Sequence, residues 1–148
     1  MSRRSRILRA AALAGVLSGA PSTVHALATG ESPLAASRAA GALTGRPGLV
    51  RGAFAHTVVS LWWVAALDRV LPRRQPIAWG LAAGGAIAAL DLWLVGRRIP
   101  AIRALPVAPQ VADHLAFGVL AAVSLRARGR STSDQLSTPR RSGPARSG

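Results

Sequence analysis

The segment Val107–Leu125, VAPQVADHLAFGVLAAVSL, decides how this chain is read. As an α-helix it rises about 28 Å at ~1.5 Å per residue, close to the ~30 Å of hydrocarbon in a bilayer. It is apolar apart from Ser124 near its end, Asp113 and His114, which stand side by side, and Gln110 one turn before them. Ionisable groups at membrane depth are costly, so by default they face a bundle interior and find partners there.

Working outward, three more apolar blocks precede it, at 7–28, 49–71 and 77–95. Pro72-Arg73-Arg74 ends the second, Pro76 leads the third, Gly96-Arg97-Arg98 closes it, and a proline-punctuated loop, 99–106, returns to the last. Half of the 148 residues are hydrophobic, only 16% are charged, and the apolar ones lie in blocks. That composition belongs to membrane proteins, and the length to a single domain. The expected fold is all-α: a four-helix transmembrane bundle over 7–125, after a basic segment at 1–6. A short interfacial helix follows the first span. Ser32-Pro33 supplies its N-cap and first-turn proline, Gly45 its stop, and the eleven residues of 34–44 are too few to span. From 126 to 148 the chain turns to Arg, Ser, Pro, Thr and Gly, which bury too little apolar surface to order themselves; a disordered tail is expected.

The first block allows two readings. Residues 7–28 form a retained span kinked at Pro21, or they are a secretory signal cleaved after Ala26-Leu27-Ala28, with Ser2-Arg3-Arg4 as its basic start. Ser18, Pro21, Ser22 and His25 make the block unusually polar for a signal core and favour the span.

Nineteen basic residues, all arginine, give a formal charge of +14. They lie between and beyond the apolar blocks, where membrane topology accounts for them, so nucleic acid is not an expected partner. With four spans, thirteen arginines fall on the side of the termini and six (Arg38, Arg46, Arg51, Arg97, Arg98 and Arg103) on the other, which places both termini in the cytoplasm. Cysteine is absent, excluding disulfides and thiolate chemistry. Trp79 and Trp93 lie near span ends, as interfacial anchors do; Trp62 and Trp63 sit mid-span, where packing is the ordinary role.

Counting residues from the span ends puts His25, His56, Asp91, Asp113 and His114 about 4–11 Å below one common boundary at ~1.5 Å per residue. Gln110, Asp113, His114 and Phe117 share one helical stripe, with Val111, Leu115 and Val119 opposite and suited to lipid. Asp91 shares a face with Ala88, Gly84 and Gly80; His25 with Ser18, Pro21 and Ser22; His56 with Gly52, Ser60 and Trp63. Gly15, Gly19, Gly80, Gly84 and Gly118 are expected to let helices approach closely.

This polar layer leaves three readings open. It is a structural Asp–His network fixing the register of the helices, a pathway for protons or cations, or a metal site of a membrane enzyme, since three His and two Asp suit zinc in ligand type. No HxxxH, HExxH or nucleophile–base pattern occurs, so neither enzymatic activity nor a cofactor is expected, and metal binding stays undetermined. The expected partners are membrane lipids, with a second copy or another membrane protein completing the layer. The Arg-rich tail would attract anionic headgroups at ~1 kcal/mol per residue at the surface, or simply be solvated.

Three stretches, GVLSGAPSTVHAL (15–27), SPLAASRAAGAL (32–43) and ALPVAPQVADHLAFGVL (104–120), resemble small four-span bacterial membrane proteins of unassigned function. The resemblance covers roughly residues 10–125. It implies a multi-pass protein of the bacterial plasma membrane and carries no catalytic residue, substrate or cofactor with it.

N-terminal sequencing of the mature protein separates the two readings of the first block: a retained span leaves Arg3–Arg9 in the product, whereas cleavage makes Thr29 the first residue.

Overall fold

A computed structural model describes residues 2–72 and 74–127. Helix α1 (Arg3–Leu17) is followed by α2 (Ala20–Thr29), then α3 (Ala35–Ala40), which tightens into a 3-10 turn at Gly41–Thr44. Helix α4 (Leu49–Val70) comes next, and α5 (Pro76–Ala88) runs on through a π-helical stretch, Ala89–Val95, and a 3-10 turn, Gly96–Arg98. The short α6 (Pro100–Arg103) leads to α7 (Val107–Arg126). No strand occurs among the described residues. Four rods, Arg3–Thr29, Leu49–Val70, Pro76–Arg98 and Val107–Arg126, are long and apolar enough to cross a membrane.

Local chemistry accounts for the ends. The Ser2 hydroxyl accepts the Ser5 N–H at 3.2 Å and caps α1. Pro76 opens α5, where a missing N–H has no helical partner to lose. Gly30, at φ 74°, closes α2 in the left-handed conformation that glycine adopts without a Cβ penalty.

Helix α7 is the centre of the bundle, packed against α5, α1, α2 and α4. Its contact with α5 is backbone against backbone. A Cβ on Gly80 would come 2.7 Å from the Val119 Cα, and one on Gly118 would come 2.6 Å from the Gly84 nitrogen. Small residues permit this approach, as they do between helices in lipid, where dispersion and weak polar contacts stand in for an absent hydrophobic drive. Ala10, Ala11 and Ala14 of α1 close over Val64, Leu67, Ile87, Phe117, Ala121 and Leu125 to complete the core. On the far side of α4, the Ser37 carbonyl of α3 fills the place of a Gly52 side chain and docks that short helix across the bundle end.

The exterior of the rods is apolar. Val50, Phe54, Val58 and Trp62 recur every four residues along α4 and are all exposed. Each rod has only 22–28% of its most apolar window buried inside the fold. An apolar surface of that extent drives association in water, whereas in hydrocarbon it is the ordinary exterior of a helical bundle.

Several expectations change. The first rod begins at Arg3, and the third extends to Arg98 through the π-helical and 3-10 turns. Leu115 and Val119 lie against α5 rather than toward lipid, because α7 has neighbours on that side as well as on its polar stripe. Trp62 points outward, while Trp63 packs on the core and meets it edge to face at 4.6 Å. A Cβ on Gly19 would meet nothing within 4 Å, so Gly19 is not a packing residue; it precedes α2 as that helix's N-cap. Arg126 belongs to α7 and not to the tail. Its Nη2 donates to the Leu71 carbonyl at 2.6 Å and the Pro72 carbonyl at 3.1 Å, satisfying the end of α4. The expected tail beyond residue 127 lies outside the described residues.

Gly118→Val should lower stability by about 1–3 kcal/mol or abolish folding, because the added carbons meet the α5 backbone. Gly19→Ala should stay within about 0.5 kcal/mol of the parent. Thermal unfolding of both variants in the same detergent micelle checks the contrast.

Candidate functional site

The geometry of the polar layer arises from a defect in the first rod. Between α1 and α2 the helix is interrupted at Ser18–Gly19, three residues before Ser22 and just ahead of Pro21, which brings no N–H of its own. An unbroken helix would pair the Gly15 carbonyl with the Gly19 N–H, and the Ser22 N–H with the Ser18 carbonyl. Here each is taken by a side chain from another helix. His56 of α4 donates its Nε2–H to the Gly15 carbonyl at 2.7 Å. The Ser22 N–H donates to the Asp113 carboxylate of α7 at 2.9 Å. Asp113 thus caps the start of α2 from a distant part of the chain, its carboxyl meeting the positive end of that helix. The Gly19 carbonyl accepts from the Thr23 N–H at 3.1 Å and from the Thr23 hydroxyl at 2.8 Å, which begins the new helix.

A second group lies between α7 and the π-helical stretch. His114 Nδ1 sits 2.7 Å from the Gln110 carbonyl, and Nε2 sits 3.3 Å from Asp91 Oδ2. A carbonyl can only accept, so Nδ1 carries a hydrogen and donates it. The Gln110 amide nitrogen donates to the Leu105 and Pro106 carbonyls at 3.3 and 3.2 Å, anchoring the first turn of α7 to the loop before it. The π-helical geometry around Asp91 leaves its carbonyl to the Gly96 N–H, five residues on, and such stretches recur where a side chain must be placed off the regular helical ladder.

The expected layer thus divides. Asp91, His114 and Gln110 form one connected set; Asp113 and His56 serve the two sides of the helix break. His25 is joined to neither set. Its ring has no hydrogen-bond partner among the described residues, and it lines a cleft of about 20 Å³ with Ser22, Glu31, Ser32, Pro106 and Gln110. No three His, Asp or Glu side chains among the described residues come together as a metal-binding group. Of the small residues, Gly80, Gly84 and Gly118 lie in the α5–α7 contact, and a Cβ on Gly15 would come 3.2 Å from the Ser60 hydroxyl.

Two features escape a reading of the sequence. One is the pairing of side chains with backbone groups, since a carbonyl or N–H becomes a ligand only where its helix breaks. Pro21 is the signal for the break, but not for which residues repair it. The other lies at the end of the bundle that holds the N-terminus. There Asp68, whose side chain is only 4% exposed, accepts from Arg3 Nε at 2.7 Å and Arg6 Nη2 at 3.1 Å. Arg3 and Arg6 are one turn apart on α1, so they share a face, and that spacing was available to find them.

No protein family, curated protein or solved structure matches the chain, so its functional reading rests on geometry alone.

Asp113→Ala leaves the Ser22 N–H without an acceptor and should destabilise by about 1–3 kcal/mol. Asp113→Asn keeps an acceptor oxygen and should lose less than half of that. Thermal unfolding in detergent checks the order.

Proposed function

We propose that this chain is a multi-pass integral membrane protein of a bacterial plasma membrane, with both termini cytoplasmic, and that its Asp/His layer is a structural element rather than a catalytic one. The observation that supports this reading is the pair of hydrogen bonds flanking the helix break, His56 to the Gly15 carbonyl and the Ser22 N–H to Asp113. Inside hydrocarbon, an unpaired backbone group costs several kcal/mol, and non-helical backbone survives only where protein groups or water satisfy it. Each bond ties a different helix to the first rod, so together they set the depth of α4 and α7 against α1 and α2.

The retained-span reading of the first block fits this arrangement. Ala10 and Ala14 have no exposed surface, and cleavage after Ala28 would strip them from the core together with both backbone groups of the break. Membrane lipids are the proposed partners along the apolar exterior. The charge asymmetry supports the orientation: Arg3, Arg4, Arg6, Arg9, Arg69, Arg74 and Arg126 mark one end, and the Arg-rich sequence after Arg126 adds charge suited to anionic headgroups. A second copy or another membrane protein, covering part of the exterior, belongs to the same proposal.

A second reading, a small proton- or cation-handling component, is favoured by one observation. The Asp91–His114 contact joins two ionisable side chains and repairs no backbone break.

Single cysteines introduced into the Cys-free chain test the topology. With a membrane-impermeant maleimide on intact cells, probes at positions 30 and 100 should label, and a probe at 74 only after permeabilisation. The inverse pattern reverses the orientation, and labelling of all three from one side removes the four-span arrangement.

A further inference from the structure

We propose that Asp91 and His114 together bind one exchangeable proton, and that this proton reaches them only from the end of the bundle opposite the termini. The inference rests on the membrane placement proposed above and deepens its second reading by naming the ligand and its route.

The stoichiometry comes from hydrogen-bond accounting. His114 Nδ1 already spends its hydrogen on the Gln110 carbonyl at 2.7 Å. Nε2 then faces Asp91 Oδ2 at 3.3 Å with either a hydrogen of its own or a lone pair. If it carries a hydrogen, the ring is an imidazolium beside a carboxylate. If it offers a lone pair, the carboxyl must be the donor. Both descriptions place one proton between the two groups, and removing it sets a lone pair against a carboxylate, which cannot be a hydrogen bond.

The surroundings leave that proton without a fixed competitor. Asp113, the neighbour on α7, is engaged by Ser22, and His56 of α4 by Gly15. His25 of α2 lines the cleft. Arg97 and Arg98, which follow Asp91 in the third rod, and Arg103 of α6 pair with no carboxylate among the described residues, Asp91 included.

The route is set by where space and polarity lie. The cleft is walled by Ser22, His25, Ser32 and Gln110, and its volume of about 20 Å³ exceeds the ~10–15 Å³ that one water needs. Gln110 connects it to the pair, because its carbonyl holds His114 one turn deeper. The side chains are not sealed: His114 is 22% and Asp91 30% exposed. Toward the termini the contact between α5 and α7 is apolar. Phe117, Gly118, Ala121, Ala122 and Leu125 on α7 and Ile87 and Ala88 on α5 are buried and carry no polar side chain, and the glycine contacts bring the two backbones together. A proton path that enters by the cleft ends at the pair.

Two measurements on the full-length protein in lipid vesicles test this. In the first, Q110C, S60C and A121C are exposed to a charged, membrane-impermeant thiol reagent from each side. Q110C should be modified from the side that labels position 100 and not from the other, while S60C and A121C stay unmodified from both. S60C differs from the parent by one atom and serves if A121C does not fold. An inert Q110C, or modification of S60C from the side of the termini, overturns the one-sided route. If the probes at 30, 74 and 100 fail to give the four-span pattern, the membrane placement itself is lost. If they hold while Q110C is inert, only this inference is lost. In the second measurement, nitrogen-15 histidine and carbon-13 aspartate resonances are followed as pH is varied. His114 Nε2 and the Asp91 carboxyl should shift with one common midpoint while Nδ1 keeps its hydrogen, and Asp91→Asn should remove that common transition. Separate midpoints, or loss of the hydrogen from Nδ1, overturns the shared proton.

Discussion

An unpaired peptide group inside an apolar medium is the constraint on which this structure depends. The first rod breaks at Ser18–Gly19, and the groups released there cannot turn to water if the rod spans hydrocarbon. Two of them find partners on other helices: the Gly15 carbonyl takes an imidazole from α4 on one side of the break, and the Ser22 N–H takes a carboxylate from α7 on the other. One local irregularity thereby specifies the relative height of three helices. Small-residue packing alone would specify it less well, because alanine and glycine surfaces slide past one another with little change in contact.

The two ends of the bundle are built differently, and side-chain chemistry is the reason. Toward the termini, charge is neutralised or turned to backbone: Arg3 and Arg6 close on Asp68, and Arg126 covers the last carbonyls of α4. Between that end and the layer lies an apolar core of alanine, leucine, isoleucine, valine and phenylalanine. Toward the opposite end the helices are shorter and irregular, with 3-10 and π-helical turns, three prolines around the cleft, and glycines closing α2 and the turn after α3. Irregular backbone leaves room and polar groups, and His25, Asp91 and His114, the members of the layer not needed for the helix break, lie toward that side.

Helix α7 links these features. It supplies Asp113 to the break, His114 to the π-helical stretch, Gly118 to the closest helix contact and Arg126 to the end of α4. All four lie along one helix that packs on every other rod. A change in its height would be felt at all four contacts, which couples the polar layer mechanically to the charged end.

Much of the fold was legible in the residue pattern. Block length and hydropathy define four rods because spanning length is a property of local composition, and proline, glycine and arginine mark their ends for equally local reasons. The depth of His56, Asp91, Asp113 and His114 could be counted along each segment. What periodicity could not supply was rotation and partnership. Leu115 and Val119 looked like a lipid face because a stripe of polar residues stood opposite, yet the central position of α7 puts a neighbour on both sides. Gly19 looked like a packing glycine because it stood four residues from Gly15, yet the helix ends there. His25 shared the depth of the layer without joining it. Asp68 meets Arg3 and Arg6 only because α1 packs beside α4. In each case the deciding contact comes from a residue distant in sequence, and only the assembled helices determine which groups meet, because a single segment carries its own apolar pattern but no record of its neighbours.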